Sequence, residues 1–293
     1  LAVKNYIWYN GDLLDGSTPV LTIANRSFSY GDGLFETIHA FGTRGRNVNL
    51  HLARLIHAMG LLRMEVPSFL NEAMLSGEIT RLLNKNRIFG SARIRLTVFR
   101  NQGGLYTPET NAVGITIEAS PIATNLYTLN PKGYIVDIYP DMRKPANMLS
   151  SIKSCNALFY IMAGIYRKDN NLSDCILIND VGRMVEATSS NIFIVKNDDV
   201  YTPGVTEGCI PGVMRDIVIR LAPQLGLKMH NQVGIPVQKL FDCDEVFLTN
   251  AIAGIRWVAG FRQQRYFNRV SRMLVDAINR FTFPDQFSEG FSG

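Results

Sequence analysis

The sequence predicts an α+β fold divided into two domains. Three features carry that reading. Short β-type runs separated by tight turns outnumber the stretches of helical period, as in sheets built from consecutive strands. No GxGxxG or GxxxxGK[ST] loop joins a strand to a helix, so a doubly wound nucleotide-binding sheet has no support. Periodicity also stops at "SPIATNLYTLNPKG", residues 120–133, a polar stretch with two prolines and a glycine. The expected organisation is a small α+β domain over 1–121, a linker over 122–133 and a larger domain over 134–293.

In the first domain, "YIWYNGDLL" reads as strand, turn, strand around Asn10-Gly11, a dipeptide suited to hairpins. "GDGLFETIHAFG" reads as a second strand pair. Leu52, Leu55, Ile56 and Met59 recur at helical spacing and predict a helix from about Asn49. Another helix opens after Pro67 and Ser68 and runs to about Lys85. In "SARIRLTVFR", Ala92, Ile94, Leu96 and Val98 alternate with Arg93, Arg95 and Thr97, the pattern of a half-buried strand. "VGITIEA" adds a further strand. The second domain opens with strand "YIVDIY", then a helix over about 155–168, strand "CILIN" and a turn at 180–182. "IFIV" and "VYT" are strands joined by "KNDD". A helix over 212–225, strand "EVFLT" and a helix near 267–281 complete it.

Bulk properties exclude several classes. Of 293 residues, 46% are hydrophobic and 19% charged, ample for a globular core. The net charge of +5 is mild. The densest basic stretch, "RQQRYFNRVSR" at 262–272, reads as a solvated helix face, so no nucleic-acid partner is expected. Four cysteines lie far apart without a CxxC pair, which argues against a disulfide framework or zinc site and for a reduced, cytoplasmic setting. His39, His51, His57 and His230 show no ligand spacing, and no metal is expected. "LAVKNYIWYNGDLL" lacks the basic-then-apolar order of a signal peptide. No apolar run approaches the ~18 residues that span a bilayer, and no membrane partner is expected.

Three stretches carry chemistry. In "LSSIKSCNALFYI", 149–161, a single lysine, Lys153, stands among small polar residues ahead of an apolar run. In "CIPGVMRDIVIRLA", 209–222, Val213, Ile217, Val218 and Leu221 share helical spacing and Pro211-Gly212 mark a helix start. The unpaired amides and positive dipole end there can bind phosphate, although most helix starts bind only water. In "VEATSSNIFIV", 185–195, Glu186 precedes small polar residues, where a carboxylate by itself reads as a turn or surface group.

From Glu186 the order runs through Asn191-Ile192-Phe193 and Val200-Tyr201-Thr202 to Ile210-Pro211-Gly212-Val213-Met214-Arg215. This order and spacing resemble the signature of the class IV aminotransferases, the fold-type IV pyridoxal-phosphate enzymes. "SYGDGLFE" at 29–36, "HLARL" at 51–55, "KSCN" at 153–156 and "DEVFLTNA" at 244–251 also resemble family motifs, so the resemblance spans most of the chain. It implies pyridoxal 5'-phosphate held at the domain interface, with 134–293 as the cofactor-binding domain. It also implies a homodimer in which a loop near 101–109 closes over the neighbouring subunit's pocket.

The resemblance assigns roles residue by residue. Lys153 would bond the cofactor aldehyde and then move the proton at the substrate α-carbon. Glu186 would face the pyridine nitrogen and keep it protonated. Arg54 and the amides of Val213 and Met214 would hold the phosphate, which a planar guanidinium suits. Asn156, Thr249 and Asn250 are further cofactor contacts, each open to a plain structural role. A small-molecule amino substrate brings a carboxylate, and Arg93, Arg95, Arg100 and Arg256 are open candidates to meet it. Phe35, Tyr106 and Asn250 complete the expected substrate contacts.

Family members differ at identifiable positions. Leu158 stands where branched-chain transaminases carry a tyrosine, Met214 where they carry a threonine, and Asn250-Ala251 where they carry Gly-Thr. These choices, and "NQGGLYTPE" at 101–109, are similar to 4-amino-4-deoxychorismate lyases. D-amino-acid transaminases share the "KSxN" form but carry a tyrosine at the Phe35 position. The expected reaction is therefore aminodeoxychorismate to 4-aminobenzoate and pyruvate, a step of folate biosynthesis. The alternative is transamination of a branched-chain or D-amino acid to a 2-oxo acid, and a non-catalytic ligand-binding protein is a third reading.

Overall fold

A computed structural model describes residues 5–123 and 125–287. The first four residues of the segment weighed as a signal peptide, residue 124 of the expected linker and residues 288–293 lie outside the described residues. Contacts group the chain into two compact units: Leu1–Asn125 with Ile152–Ala157, and Leu126–Ser151 with Leu158–Gly293.

The first unit contains β1 (Tyr6–Tyr9), β2 (Asp12–Asp15), α1 (Arg26–Tyr30), β3 (Gly33–Phe41), β4 (Arg44–Gly45), α2 (Val48–Leu61), α3 (Glu72–Lys85), β5 (Ser91–Arg100) and β6 (Val113–Pro121). Its sheet is antiparallel throughout, in the order β2-β1-β6-β5-β3-β4. Asn10 and Gly11 both take positive φ, which tight hairpins require. "GDGLFETIHAFG" forms one long strand rather than a pair. Nothing between Gly33 and Phe41 breaks the extended chain, and the turn comes only at Gly42-Thr43, both at positive φ. Ala92, Ile94, Leu96 and Val98 are fully buried, as their alternation requires, in one core with Leu55 and Met59 of α2 and Leu75 and Ile79 of α3. Helix α3 starts four residues later than Ser68, because the Asn71 side chain caps it by accepting from the Met74 amide at 3.0 Å.

The second unit contains β7 (Tyr134–Ile138), α4 (Leu158–Asp169), β8 (Asp174–Ile178), β9 (Arg183–Ala187), β10 (Asn191–Lys196), β11 (Asp199–Pro203), α5 (Val213–Leu221), β12 (Lys228–Val233), β13 (Ile235–Pro236), β14 (Glu245–Asn250), β15 (Gly254–Phe261), β16 (Gln264–Arg265) and α6 (Arg269–Thr282). The sheet runs β12-β11-β10-β14-β15-β7-β8-β9-β13, with β16 paired to β15. Strand β7 is parallel to β8 and β15, and β11 to β12; the other pairs are antiparallel.

Four sequence expectations change here. Glu186, read as a turn or surface group, lies inside β9, where Met184 to Ala187 are all buried. Strands β12 and β15 were also not expected. Helix α4 begins at Leu158, not near 155, because Cys155 is held extended by hydrogen bonds to β3. The basic stretch 262–272 is not one helix face: it covers the β15–β16 turn, with Arg262 at positive φ, then β16, and enters α6 only at Arg269. No described helix is long and apolar enough to cross a membrane.

Leu82 is fully buried in the core that also holds Trp8. Leu82→Ala is expected to cost about 2–5 kcal/mol through lost burial and a cavity. Urea unfolding followed by Trp8 fluorescence in a Trp257→Phe background measures it.

Candidate active site

Lys153 is placed by backbone pairing. The segment around it runs antiparallel to β3: the Phe35 amide donates to the Lys153 carbonyl at 3.0 Å and the Cys155 amide to the Gly33 carbonyl at 2.8 Å. The Lys153 ammonium lies 4.3 Å from the Phe35 ring centroid, and the Arg95 guanidinium lies 4.1 Å from the same centroid. An aromatic face attracts each cation and offsets part of their mutual repulsion. Gly31, at φ +67°, lets Asn156 come close; a Cβ there would lie 3.1–3.3 Å from its Cβ, Cα and N.

Strand alternation puts Glu36 on the opposite face of β3 from Phe35. Its buried carboxylate accepts from Arg54 Nε at 2.8 Å, Arg54 Nη2 at 2.5 Å and His51 Nδ1 at 2.7 Å. His51 and Arg54 are three apart on α2, so both reach it from one helix face. Burial pushes the Glu36 carboxyl up, but the Arg54 charge and the hydrogen bonds from His51 and Arg54 outweigh it and bring it down to about 2. Burial pushes His51 down, and the charges of Arg54 and Lys153 add to that, against the pull of Glu36.

The other arginines separate by their partners. Arg100 donates to Asp32, Asn111 and the Leu62 carbonyl, a structural role that removes it as a substrate candidate. Arg26 also binds Asp32 and donates to the carbonyls of Gly103, Gly104 and Leu105, which anchors the 101–109 loop. Tyr106 on that loop is 90% exposed, its ring 5.7 Å from that of Tyr30. Arg93 is exposed. Arg256, in the second unit, donates to the carbonyls of Thr128 and Ile255.

In the second unit the centre is Glu186, 3% exposed. Its Oε1 is ion-paired with the Lys144 ammonium and accepts from the Tyr160 hydroxyl at 2.7 Å; its Oε2 accepts from the Ile210 amide at 3.0 Å. Burial and the Glu186 charge hold the Tyr160 phenol well above its usual range. Gly212 is the N-cap of α5 and offers no side-chain cap to the amides of Val213 and Met214. A Cβ at Gly212 would fall 2.0 Å from Asn191 Oδ1, so this approach needs glycine. The Asn191 amide donates to the Ile210 carbonyl and fixes the approach to the helix. Thr249, opposite Asn191 in the sheet, is buried, and its hydroxyl has no hydrogen-bond partner among the described residues. Asn250 Nδ2 donates to Ser190 Oγ, and its Oδ1 accepts from the amides of Ile252 and Ala253.

The structure therefore groups Lys153, Phe35 and Arg95 in the first unit, with Arg54 on the other side of β3. It groups Glu186, Val213, Met214, Thr249 and Asn250 in the second. The sequence reading missed Glu36, His51, Lys144 and Tyr160. His51 and Arg54 at i and i+3 were a usable signal; Lys144, in "DMRKP", had none.

The sequence profile of the amino-transferase class IV family matches residues 33–261. The chain belongs to that family. It is 29% identical over 252 residues, 85% of each chain, to a provisionally named branched-chain-amino-acid aminotransferase of Methanocaldococcus jannaschii. It is 26% identical over 261 residues, 85% of this chain and 86% of the other, to the D-alanine aminotransferase of Bacillus licheniformis. Its fold is shared by a provisionally named 4-amino-4-deoxychorismate lyase of Legionella pneumophila, with a TM-score of 0.81 at 23% identity over 91% of this chain and 97% of that one.

Class IV enzymes use pyridoxal phosphate, and each unit, taken by itself, carries groups whose chemistry suits it. Lys153 is an amine suited to the aldehyde, Glu186 a buried carboxylate suited to the ring nitrogen, and the uncapped start of α5 suits a phosphate. The unpartnered Thr249 hydroxyl offers one more polar contact.

The Glu36 cluster predicts acid sensitivity. Both groups are depressed on folding, so the unfolded chain binds more protons and stability falls as pH falls. For His51 the loss begins below its ordinary 6.5, and for Glu36 it runs from about 4.5 toward 2. His51→Gln is expected to remove the upper limb of the stability–pH curve and keep the lower one. Thermal melts between pH 3 and 8 measure both.

Proposed function

We propose that this class IV enzyme is an amino-acid transaminase, with Lys153 as the lysine that carries the cofactor and moves the substrate proton. The sharing of the Phe35 ring by Lys153 and Arg95 supports an amino-acid site, because it sets a cation able to meet a substrate carboxylate beside the proposed reactive amine. Relatives across 85% of the chain that are named for transamination support it over the lyase. Of the four arginines first weighed, Arg95 is the one so placed, and it is proposed to hold the substrate carboxylate. Phe35 forms the wall beside it. Arg54, Val213 and Met214 are proposed to bind the phosphate and Glu186 the ring nitrogen, with Thr249 and Asn250 as further contacts. When bound, pyridoxal phosphate supplies the sink for the electrons left at the substrate α-carbon.

One observation favours the lyase as a second reading. Leu158, where branched-chain transaminases carry a tyrosine, is 69% exposed and offers no hydroxyl, and the nearby Tyr160 hydroxyl is bound to Glu186. The two readings separate in one experiment. L-leucine and D-alanine are added singly to the cofactor-loaded enzyme with no 2-oxo acid present. A transaminase releases one equivalent of 2-oxo acid per chain and its visible band disappears; the productive amino acid names its hand. No release with either, together with 4-aminobenzoate formed from aminodeoxychorismate, would replace the transaminase reading by the lyase.

Lys153→Ala is expected to lower turnover by about 10²–10⁴-fold or more, the range for loss of a positioned proton carrier. Arg95→Ala is expected to lower kcat/KM by about 10- to 100-fold, the size of a charged hydrogen bond. Steady-state kinetics measure both, and full activity in either variant removes that residue from its role.

A homodimer in the cytoplasm is also proposed. Leu158, Ile161, Met162 and Ile165 form one exposed apolar stripe on α4, the kind of face that a second copy covers. Light scattering of Ile161→Glu is expected to show a monomer, and a dimer of unchanged mass would exclude this face.

A further inference from the structure

We infer that Lys144 is a positioning residue for Glu186: its ammonium engages one oxygen of that buried carboxylate and fixes which oxygen is left to meet the cofactor's ring nitrogen. The inference rests on Glu186 being the ring-nitrogen partner. Lys144 is itself buried, and its backbone is locked to the end of β8, its amide donating to the Ile178 carbonyl at 2.9 Å. Its ammonium lies over the Tyr160 ring, 5.2 Å from the centroid, and is paired with Glu186 Oε1. The backbone is therefore anchored to β8, and the cation is held between the Tyr160 ring of α4 and the carboxylate of β9.

The two oxygens of Glu186 are thereby made unequal. Oε1 takes both the ammonium and the Tyr160 hydroxyl, whereas among the described residues Oε2 takes only the Ile210 amide. A carboxylate oxygen accepts two hydrogen bonds comfortably, so Oε2 retains the capacity for one more donor. Ile210 lies two residues before Gly212, the N-cap of the helix proposed to bind the phosphate. Oε2 is thus bonded to the same stretch of chain that leads into the phosphate site. A buried carboxylate stripped of its cation is left short of a partner and turns toward other donors. A Glu186 so displaced would no longer hold Oε2 toward the ring nitrogen. Lys144 therefore acts on the cofactor through Glu186 without touching it.

The test compares Lys144→Gln, which keeps a donor but loses the charge, with Lys144→Arg, which keeps both. Cofactor affinity by fluorescence titration and the visible spectrum of the bound cofactor are the readouts. Lys144→Gln is expected to weaken cofactor binding at least tenfold and to move the band, while Lys144→Arg stays within threefold of the parent with the parent band. A folded Lys144→Gln chain with parent affinity and spectrum overturns the inference. So does an Arg variant as impaired as the Gln variant, which would leave Lys144 a packing role. Should the Gln chain not fold, the Arg chain still decides: the parent band supports the inference and a moved band overturns it. Failure of the parent chain itself to bind the cofactor with a visible band would instead remove the reading of the site.

Discussion

The short antiparallel pairing between β3 and the Lys153 segment is the constraint on which the placement of Lys153 depends. Two backbone hydrogen bonds, Phe35 to Lys153 and Cys155 to Gly33, fix the stretch that leads into α4. They hold Lys153 extended, and from that follow its position over the Phe35 ring and its nearness to Arg95. Backbone pairing fixes a lysine more firmly than side-chain packing can, because the long side chain carries up to about 2 kcal/mol of rotamer entropy on its own. Gly31 has a part in this, since its bare α-carbon leaves room for the Asn156 backbone.

Glu36 in the first unit and Glu186 in the second are buried carboxylates held in a similar way. Glu36 receives a guanidinium and an imidazole N–H; Glu186 receives an ammonium, a phenol and a backbone amide. Burying either charge alone would be prohibitive, and a cation with neutral donors on the remaining lone pairs is the arrangement that tolerates it. Such pairs contribute little net stability compared with an apolar core. Their use is geometric: Glu36 sets the direction of Arg54, and Lys144 sets that of Glu186. Both are groups that the family resemblance points to as cofactor contacts, so the buried partners extend the site inward.

The arginines of one strand differ in their partners. Arg93, Arg95 and Arg100 all belong to β5. Arg100 is bound on three sides by Asp32, Asn111 and a carbonyl, and helps to hold the turn before β3. Arg95 rests on an aromatic face that leaves its fork of donors available to an anion. The same residue type five positions apart thus sits in two different settings, and only its neighbours distinguish them.

What the sequence determined by itself was the local and the familial. Alternation marked β5, helical spacing marked α2 and α5, Pro67-Ser68 marked the approach to α3, and Asn10-Gly11 marked the first hairpin, because each depends on residues close in the chain. The ordered motifs from Glu186 to Arg215 marked the family for the same reason. Tertiary structure alone decided the rest. Strand β9 was hidden because a strand buried on both faces shows no alternation. The start of α4 was set by hydrogen bonds to β3, more than a hundred residues away. Lys144 and Tyr160 could not be recognised, since nothing in "DMRKP" or "LFYI" signals a carboxylate 42 or 26 residues further on. Partnership of buried charges is a property of the folded chain, because the cost of burial that makes a partner necessary exists only after folding.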